Sequence, residues 1–197
     1  MGKFSVQIKI IKNIFLLSLS YIFLVGCTNI VEHKTFVFKG ENLITPYSGF
    51  LAGWHVSIEN KENYHSRMWQ HPIHGFKDAY VISVTAPKDK KIAYFRQVID
   101  QPGYDTCVEF TTLTLEYLPN ELYPSEIWQT NCKKKNGSEA KILHMMLLGK
   151  DSFYHVQKIW QDSFISSEIE QWQNRFKKIY LCDSRATVTV CPDVYSL

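Results

Sequence analysis

Glycine and proline are scarce in this chain of 197 residues, with nine and seven copies, and no stretch of them forms a linker or a repeat. A collagen-like repeat and a low-complexity tail are therefore excluded. A charge excess is also missing from most of the chain. Three of the 22 basic residues fall within residues 1–26, which contain no acid, leaving 19 basic residues against 19 acidic ones. We therefore expect no nucleic-acid partner.

Several common catalytic motifs are absent as well. The sequence contains no G-x-S-x-G, H-E-x-x-H, G-x-x-x-x-G-K-[ST] or G-x-G-x-x-G pattern. We interpret the protein as non-enzymatic and expect no cofactor. A hydrolase that uses paired carboxylates stays open, because such carboxylates meet in space and leave no spacing signature.

The first 27 residues are organised like an export signal. Basic residues up to Lys12 precede an apolar run over residues 14–25, which is too short to cross a bilayer but fits a signal-peptide core. Residues 24–27 (LVGC) end this run and resemble the lipobox of bacterial lipoproteins. The alternatives are an ordinary signal peptide with a free cysteine and an uncleaved anchor helix, which Lys9 and Lys12 disfavour.

The lipobox resemblance implies a lipid anchor. It implies cleavage before Cys27 and attachment of two or three acyl chains, such as palmitate, to that residue, which makes membrane binding effectively permanent. The next residue is Thr28 and not Asp, so in a Gram-negative cell the resemblance implies the periplasmic side of the outer membrane. We accordingly divide the chain into a signal peptide (1–26), a lipidated tether (27–34) and a single globular domain (35–197).

Four further cysteines suit an oxidising compartment. Four cysteines allow three pairings. We favour Cys107 with Cys132 and Cys182 with Cys191, since each pair flanks neighbouring elements and closes a short loop. No C-x-x-C spacing is present, so the sequence favours disulfides over a zinc site.

Strand-like segments dominate the globular part, together with 28 aromatic residues (5 Trp, 11 Tyr and 12 Phe). Predicted strands cover residues 35–39, 54–58, 79–85, 92–98, 106–117, 127–132, 141–148, 153–160 and 186–190. A single helix is predicted for residues 168–180, from an apolar stripe and a capping box of Ser167 and Glu170. The pattern predicts an α+β fold, a mostly antiparallel β-sheet with one C-terminal amphipathic helix packed on it. The alternative is a lipocalin-like β-barrel, although the G-x-W spacing typical of lipocalins is missing.

A tight turn is predicted at Asn136-Gly137, the preferred pair of a two-residue type I′ hairpin. This turn would place Lys134 opposite Glu139 and Cys132 opposite Lys141.

Residues 60–76 form the longest polar segment, and we predict a loop there. Its side chains include Tyr64, Arg67 and Trp69, which are residue types enriched at protein interfaces, and we take these three as candidates for partner binding. The alternative is a loop that folds over the sheet and buries Trp69. The same segment holds His65, His71 and His74, but their spacing matches no standard ligand pattern, and we expect no metal.

Together these features predict a membrane-anchored lipoprotein that acts as an interaction component of a cell-envelope assembly, such as a secretion or envelope-maintenance complex. A lipocalin-like binder of an apolar or sugar ligand is the second hypothesis, and an envelope hydrolase is the third.

Overall fold

The computed structural model describes residues 36–45, 51–86, 91–119, 121–162, 165–185 and residue 191. All of them belong to one compact unit, His33–Leu197. The predicted signal peptide, Cys27, the tether and the predicted strand 186–190 lie outside the described residues. Neither helix in the described part is long and apolar enough to cross a membrane.

Ten strands and two helices make up the described structure. In chain order they are β1 (Phe36–Phe38), β2 (Glu41–Ile44), β3 (His55–Lys61), β4 (Tyr64–His71), β5 (Gly75–Thr85), α1 (Ile92–Thr106), β6 (Glu109–Leu118), β7 (Ser125–Lys133), β8 (Glu139–Leu148), β9 (Phe153–Gln161), α2 (Ser166–Phe176) and β10 (Tyr180–Asp183). Their pairings are all antiparallel, which confirms the predicted α+β class with a mostly antiparallel sheet.

Seven strands form the main sheet in the spatial order β3-β4-β5-β9-β8-β7-β6. Strands β3 to β5 form one meander and β6 to β9 a second, and the two join where β5 pairs with β9. Strands β3 and β6 are the two edges, so the described sheet is open and not the closed barrel of the lipocalin-like alternative. A second sheet, in the order β1-β2-β10, has three strands.

The prediction of a single helix is wrong, because α1 occupies the segment predicted as the strand 92–98. Its β-branched and aromatic residues suggested a strand, but Ile92, Phe95 and Ile99 follow the i, i+3, i+7 spacing of a helix face and pack on the sheet. Near the end of α1, Gly103 allows close approach, since an added Cβ would lie 2.2 Å from the Phe110 ring. Packing of this helix face on the sheet therefore overrides the local strand preference of residues 92–98.

Helix α2 forms as predicted in position but not in its cap. It begins at Ser166 with Ile165 as N-cap, without a side-chain cap, so the predicted capping box is wrong. Its stripe of Ile169, Trp172 and Phe176 is buried in the main core. The helix ends before residue 180, and Tyr180 belongs to β10.

In the hairpin between β7 and β8, the pairing of the strands is shifted by one residue from the predicted register. Lys134 N–H donates to the Ser138 carbonyl (2.9 Å), and Gly137 N–H donates to the Lys134 carbonyl (2.9 Å), which closes a three-residue loop. Gly137 has φ +83°, the left-handed conformation that this kind of loop requires. Cys132 consequently lies opposite Ala140 and not Lys141.

The two faces of the main sheet carry separate cores, because side chains alternate between the faces along each strand. The larger core lies on the face that α2 covers and includes Tyr80, Leu143 and Val156. The smaller lies under α1 and comprises Ile92, Trp128, Met146 and Phe153.

Both favoured cysteine pairings are present in the structure. Cys107, directly after α1, is bonded to Cys132 of β7. Cys182 of β10 is bonded to Cys191. The first disulfide therefore ties the end of α1 to the main sheet, and the second closes a short loop beyond the small sheet.

Candidate interaction surface and buried polar clusters

The segment predicted as a long loop, residues 60–76, is mostly strand. It contains the end of β3, the turn at Glu62 and Asn63, all of β4 and the start of β5. The sequence YHSRMWQH of β4 mixes polar and apolar residues on both faces, and for this reason it lacks the period-two pattern that predicts a half-buried strand. Backbone pairing with β3 and β5 nevertheless makes it a regular strand up to Gln70.

The three partner-binding candidates do not share one face. Arg67 and Trp69 project from the same face of β4, whereas alternation along the strand places Tyr64 on the other. The Arg67 guanidinium lies 5.6 Å from the Trp69 ring centre. Trp69 packs against the main core, with its ring centre 5.4 Å from that of Tyr80. Trp69 is therefore partly a core residue, as the folded-over alternative required.

Arg67 and Trp69 continue into an exposed apolar strip on the neighbouring strand. Ile58 lies opposite Arg67 and Val56 lies opposite Trp69 in the β3–β4 register. The side chains of Val56 and Ile58 are 52% and 57% exposed. We call these four residues the hairpin face. It combines two exposed aliphatic side chains with an arginine and a tryptophan, a composition typical of protein interfaces.

The histidines of this region do not converge. His65 Nδ1 lies 3.2 Å from Asn60 Oδ1, near the hairpin end. His71 and His74 stack at the other end of β4 with ring centres 4.7 Å apart, and His71 Nδ1 accepts hydrogen bonds from two backbone N–H groups. Within the described ranges, no group of three or more His, Cys, Asp or Glu side chains is arranged to hold a metal ion.

A buried polar cluster that the sequence did not reveal joins α1 to the sheet. Asp100, 5% exposed, accepts a hydrogen bond from Trp128 Nε1 (3.0 Å) and one from Thr112 Oγ1 (3.2 Å). Arg96, one turn earlier in α1, pairs with the buried Glu126 of β7 and lies 3.6 Å from Asp100. The two carboxylates thus share one guanidinium, which satisfies buried charges that would otherwise be costly.

Two histidines extend this cluster along the sheet. The rings of Trp128, His144 and His155 lie nearly parallel and close together, with their centres 4.5, 5.5 and 6.0 Å apart. His144 Nε2 lies 3.0 Å from Thr130 Oγ1, and its Nδ1 lies 3.2 Å from His155 Nε2. Burial lowers the pKa of His155 to about 4, and burial together with the neighbouring His155 and Arg96 lowers the pKa of His144. Both imidazoles are consequently neutral near pH 7.

On the opposite face, a lysine is enclosed by tryptophans. Lys158 is fully buried, with its Nζ 4.7, 5.1 and 5.2 Å from the ring centres of Trp160, Trp172 and Trp54. It pairs with Asp78 and lies 3.9 Å from Glu168. Burial lowers the pKa of Lys158, and the Asp78 carboxylate opposes that change. An aromatic cage of this kind suits a cationic ligand, but here the chain's own ammonium fills it.

A buried glutamate connects the small sheet to the main sheet. Both carboxylate oxygens of Glu41 accept hydrogen bonds from the turn between β8 and β9, including the backbone N–H groups of Lys150 (2.7 Å) and Asp151 (3.0 Å). Ser152 Oγ donates to the same carboxylate. Arg185 pairs with Asp151 (2.7 Å) and Asp183 (2.9 Å), which secures the same turn from outside. This cluster acts as a structural clamp.

Comparison with known proteins adds no relative to this picture. No protein-family model matches the chain, and no curated protein matches it significantly. The chain's own residues therefore carry the functional information. Helical spacing could have indicated the Arg96 and Asp100 pair, four residues apart, but no sequence pattern indicates that Glu126 and Trp128 meet them.

Proposed function

We propose that this protein is a lipid-anchored, non-enzymatic component of a cell-envelope assembly, held by acylated Cys27 on the periplasmic side of the outer membrane. The leader and its LVGC sequence support the anchor, and the two disulfides are consistent with an oxidising compartment. The hairpin face would bind an envelope protein, as part of a secretion or envelope-maintenance complex.

The exposure of Val56 and Ile58 on the hairpin face is the observation that carries the proposed interaction. Val56 and Ile58 keep more than half of their surface exposed beside Arg67 and Trp69. The polar residues under α1, like Lys158 and Glu41, are buried and bonded within the chain, so they add no exposed surface. An assembly component needs exposed surface for its partner, and the aliphatic side chains of Val56 and Ile58 provide it.

Exchange of Arg67 for alanine tests the interaction. Full-length acylated protein carrying Arg67→Ala should lose a co-purifying envelope partner and keep the wild-type melting temperature. Leu113→Ala is the matched control, because Leu113 is 58% exposed on β6 at the far edge of the sheet. If Arg67→Ala and Leu113→Ala retain identical partners, the hairpin face is not the binding surface.

The anchor has a separate test. Cys27→Ser should abolish incorporation of a labelled fatty acid and leave the signal peptide uncleaved by the lipoprotein peptidase. Equal labelling of the wild type and the variant would contradict the lipoprotein proposal, whatever the result with Arg67.

A further inference from the structure

Strand β3 is an edge of the main sheet among the described residues, and it lacks two protections that edge strands usually carry, a bulge and a proline. All seven of its side chains are exposed, and it contains no proline. Its pairing with β4 is regular along its whole length, whereas the other edge strand, β6, is interrupted by a bulge between Thr114 and Glu116. Natural proteins use bulges, prolines, short strands or charged side chains to stop an edge from adding another strand, and β3 has only the charges of Glu59 and Lys61, which pair with each other. The edge of β3 is thus the more open of the two.

The hairpin geometry identifies the backbone groups that this edge offers. Two residues separate Lys61 from Tyr64, so this pair closes the hairpin with its own backbone hydrogen bonds. Hydrogen-bonded and non-bonded pairs alternate along an antiparallel ladder. Ser57 and Glu59 therefore bond to β4, while the N–H and C=O groups of Val56, Ile58 and Asn60 point away from the sheet.

We propose that two copies of this chain pair antiparallel through β3, with the two-fold axis at Ser57, and so join their sheets into one. In this register Val56 lies opposite Ile58 of the second copy on one face. On the other face, His55 lies opposite Glu59 of the second copy. By symmetry each contact occurs twice, so apolar groups meet apolar groups and an imidazole meets a carboxylate.

The neighbouring symmetric registers are less favourable. An axis at Glu59 would set that carboxylate directly opposite its own copy, and like charges in this position are destabilising. An axis at Ile58 would set Val56 opposite Asn60, which mixes apolar with polar groups, and His55 opposite Lys61, which leaves His55 without the carboxylate that faces it in the Ser57 register. Of these three registers, the one with its axis at Ser57 has the most complementary side-chain pairs.

Pairing of this kind would extend the proposed function. The hairpin faces of the two copies would become adjacent on one continuous sheet and double the surface available to an envelope partner. This consequence rests on the proposed function, and so does the enrichment of both copies in one membrane through their anchors. The edge pairing itself depends only on β3.

Cross-linking of full-length protein in isolated membranes tests the pairing. Ser57→Cys should form an intermolecular disulfide upon mild oxidation, because facing residues of a non-hydrogen-bonded pair have Cα atoms about 4.5 Å apart, within disulfide reach. Ile58→Cys and Lys61→Cys serve as matched controls on the same strand and should cross-link far less. A monomeric Ser57→Cys variant, or equal cross-linking of all three, would overturn the proposal.

Charge exchange provides a second measurement, by sedimentation of the acylated protein in detergent over a range of concentrations. In the proposed dimer, His55→Glu sets a carboxylate opposite Glu59 of the other copy, and by symmetry this repulsion occurs twice. The variant should therefore self-associate at least about tenfold more weakly. Adding Glu59→Lys to that variant should restore association. If His55→Glu leaves association unchanged, or if the wild type is monomeric throughout, the proposal fails.

The two proposals fail separately. Loss of the envelope partner in Arg67→Ala, with Ser57→Cys still cross-linking, would support both proposals. Cross-linking without any partner that depends on Arg67 would leave the dimer and remove the proposed hairpin-face interaction. If a partner binds through Arg67 but Ser57→Cys does not cross-link, the hairpin-face interaction stands and the dimer is ruled out. The β3 edge would then receive a strand from another protein or remain unpaired.

Discussion

The two ends of the main sheet treat their polar and apolar groups in opposite ways. At the β6 end, α1 covers one face and buries Asp100, Glu126 and Trp128 in contacts that are satisfied within the chain. At the β3 end, all seven side chains of the edge strand are exposed. The residues under α1 thus make their contacts within the fold, whereas the side chains of β3 are exposed to solvent.

The ion pairs of the two ends illustrate the same difference. Arg96 and Glu126 meet where both side chains are largely buried, so the loss of one partner would leave an uncompensated charge. Lys61 and Glu59 pair on the hairpin at 2.6 Å, with both side chains more than half exposed. Exposed pairs contribute little to stability, because water solvates both charges in any case. Substitutions should therefore affect stability in the buried cluster under α1 and association on β3.

Asp100→Ala should have the largest effect on stability. It leaves Trp128 Nε1 and Thr112 without their acceptor and removes one of the two carboxylates beside Arg96, so we expect a loss of about 3 to 5 kcal/mol in the free energy of unfolding. Chemical denaturation measures this loss. Asp105→Ala, an exposed position on the same helix, is the control and should stay within about 0.5 kcal/mol of wild type. Equal effects at the two positions would contradict the buried cluster.

Removal of the disulfide at the same end should rank second. Cys107→Ser with Cys132→Ser opens a loop of 25 residues and should lower stability by about 3 kcal/mol. The second bridge spans nine residues, so Cys182→Ser with Cys191→Ser should cost less, because a shorter loop constrains the unfolded chain less. Thermal melts of both double variants under non-reducing conditions provide the comparison, and a reversed order would contradict it.

Acidification should weaken the fold through the histidines that extend the α1 cluster towards the middle of the main sheet. The pKa of His155 lies at about 4 in the folded chain, below the usual value of 6.5, so the unfolded chain binds more protons between these two pH values. Stability should therefore fall as the pH is lowered from about 6.5 to about 4, by on the order of 2 kcal/mol. His155→Gln should flatten this dependence, whereas the exposed His74→Asn should not. If the free energy of unfolding of the wild type does not change between about pH 6.5 and about pH 4, His155 does not stay buried in the folded chain.

Substitutions on β3 should have the smallest effect. Val56→Thr and Ile58→Thr keep a strand-forming side chain at positions that are more than half exposed, so each should change the free energy of unfolding by less than about 0.5 kcal/mol. Urea denaturation at low protein concentration, where self-association is minimal, measures the monomer. A loss above about 1 kcal/mol would show that the chain itself covers this strand.

Sequence patterns predicted some elements and missed others for identifiable reasons. The buried strands β7, β8 and β9 were recognised, because their apolar and β-branched residues are dense. Strand β4 was not, since its residues are mixed on both faces, and α1 was misjudged because its aromatic and β-branched residues favour strands locally. Of the candidate interface, Arg67 and Trp69 share a face, while Tyr64 lies on the other. The edge residues Val56 and Ile58 were not predicted as part of it.

Local sequence determined the features that depend on neighbours in the chain. These include the apolar leader that ends in LVGC, the dense strands and the apolar stripe of α2. The pairing of β5 with β9, which joins the two meanders, arose only in the tertiary structure. So did the meeting of Asp100 with Trp128 and the enclosure of Lys158 by three tryptophans. Most of these contacts join residues far apart in the chain, and their geometry follows from how whole elements pack, which a local pattern does not encode.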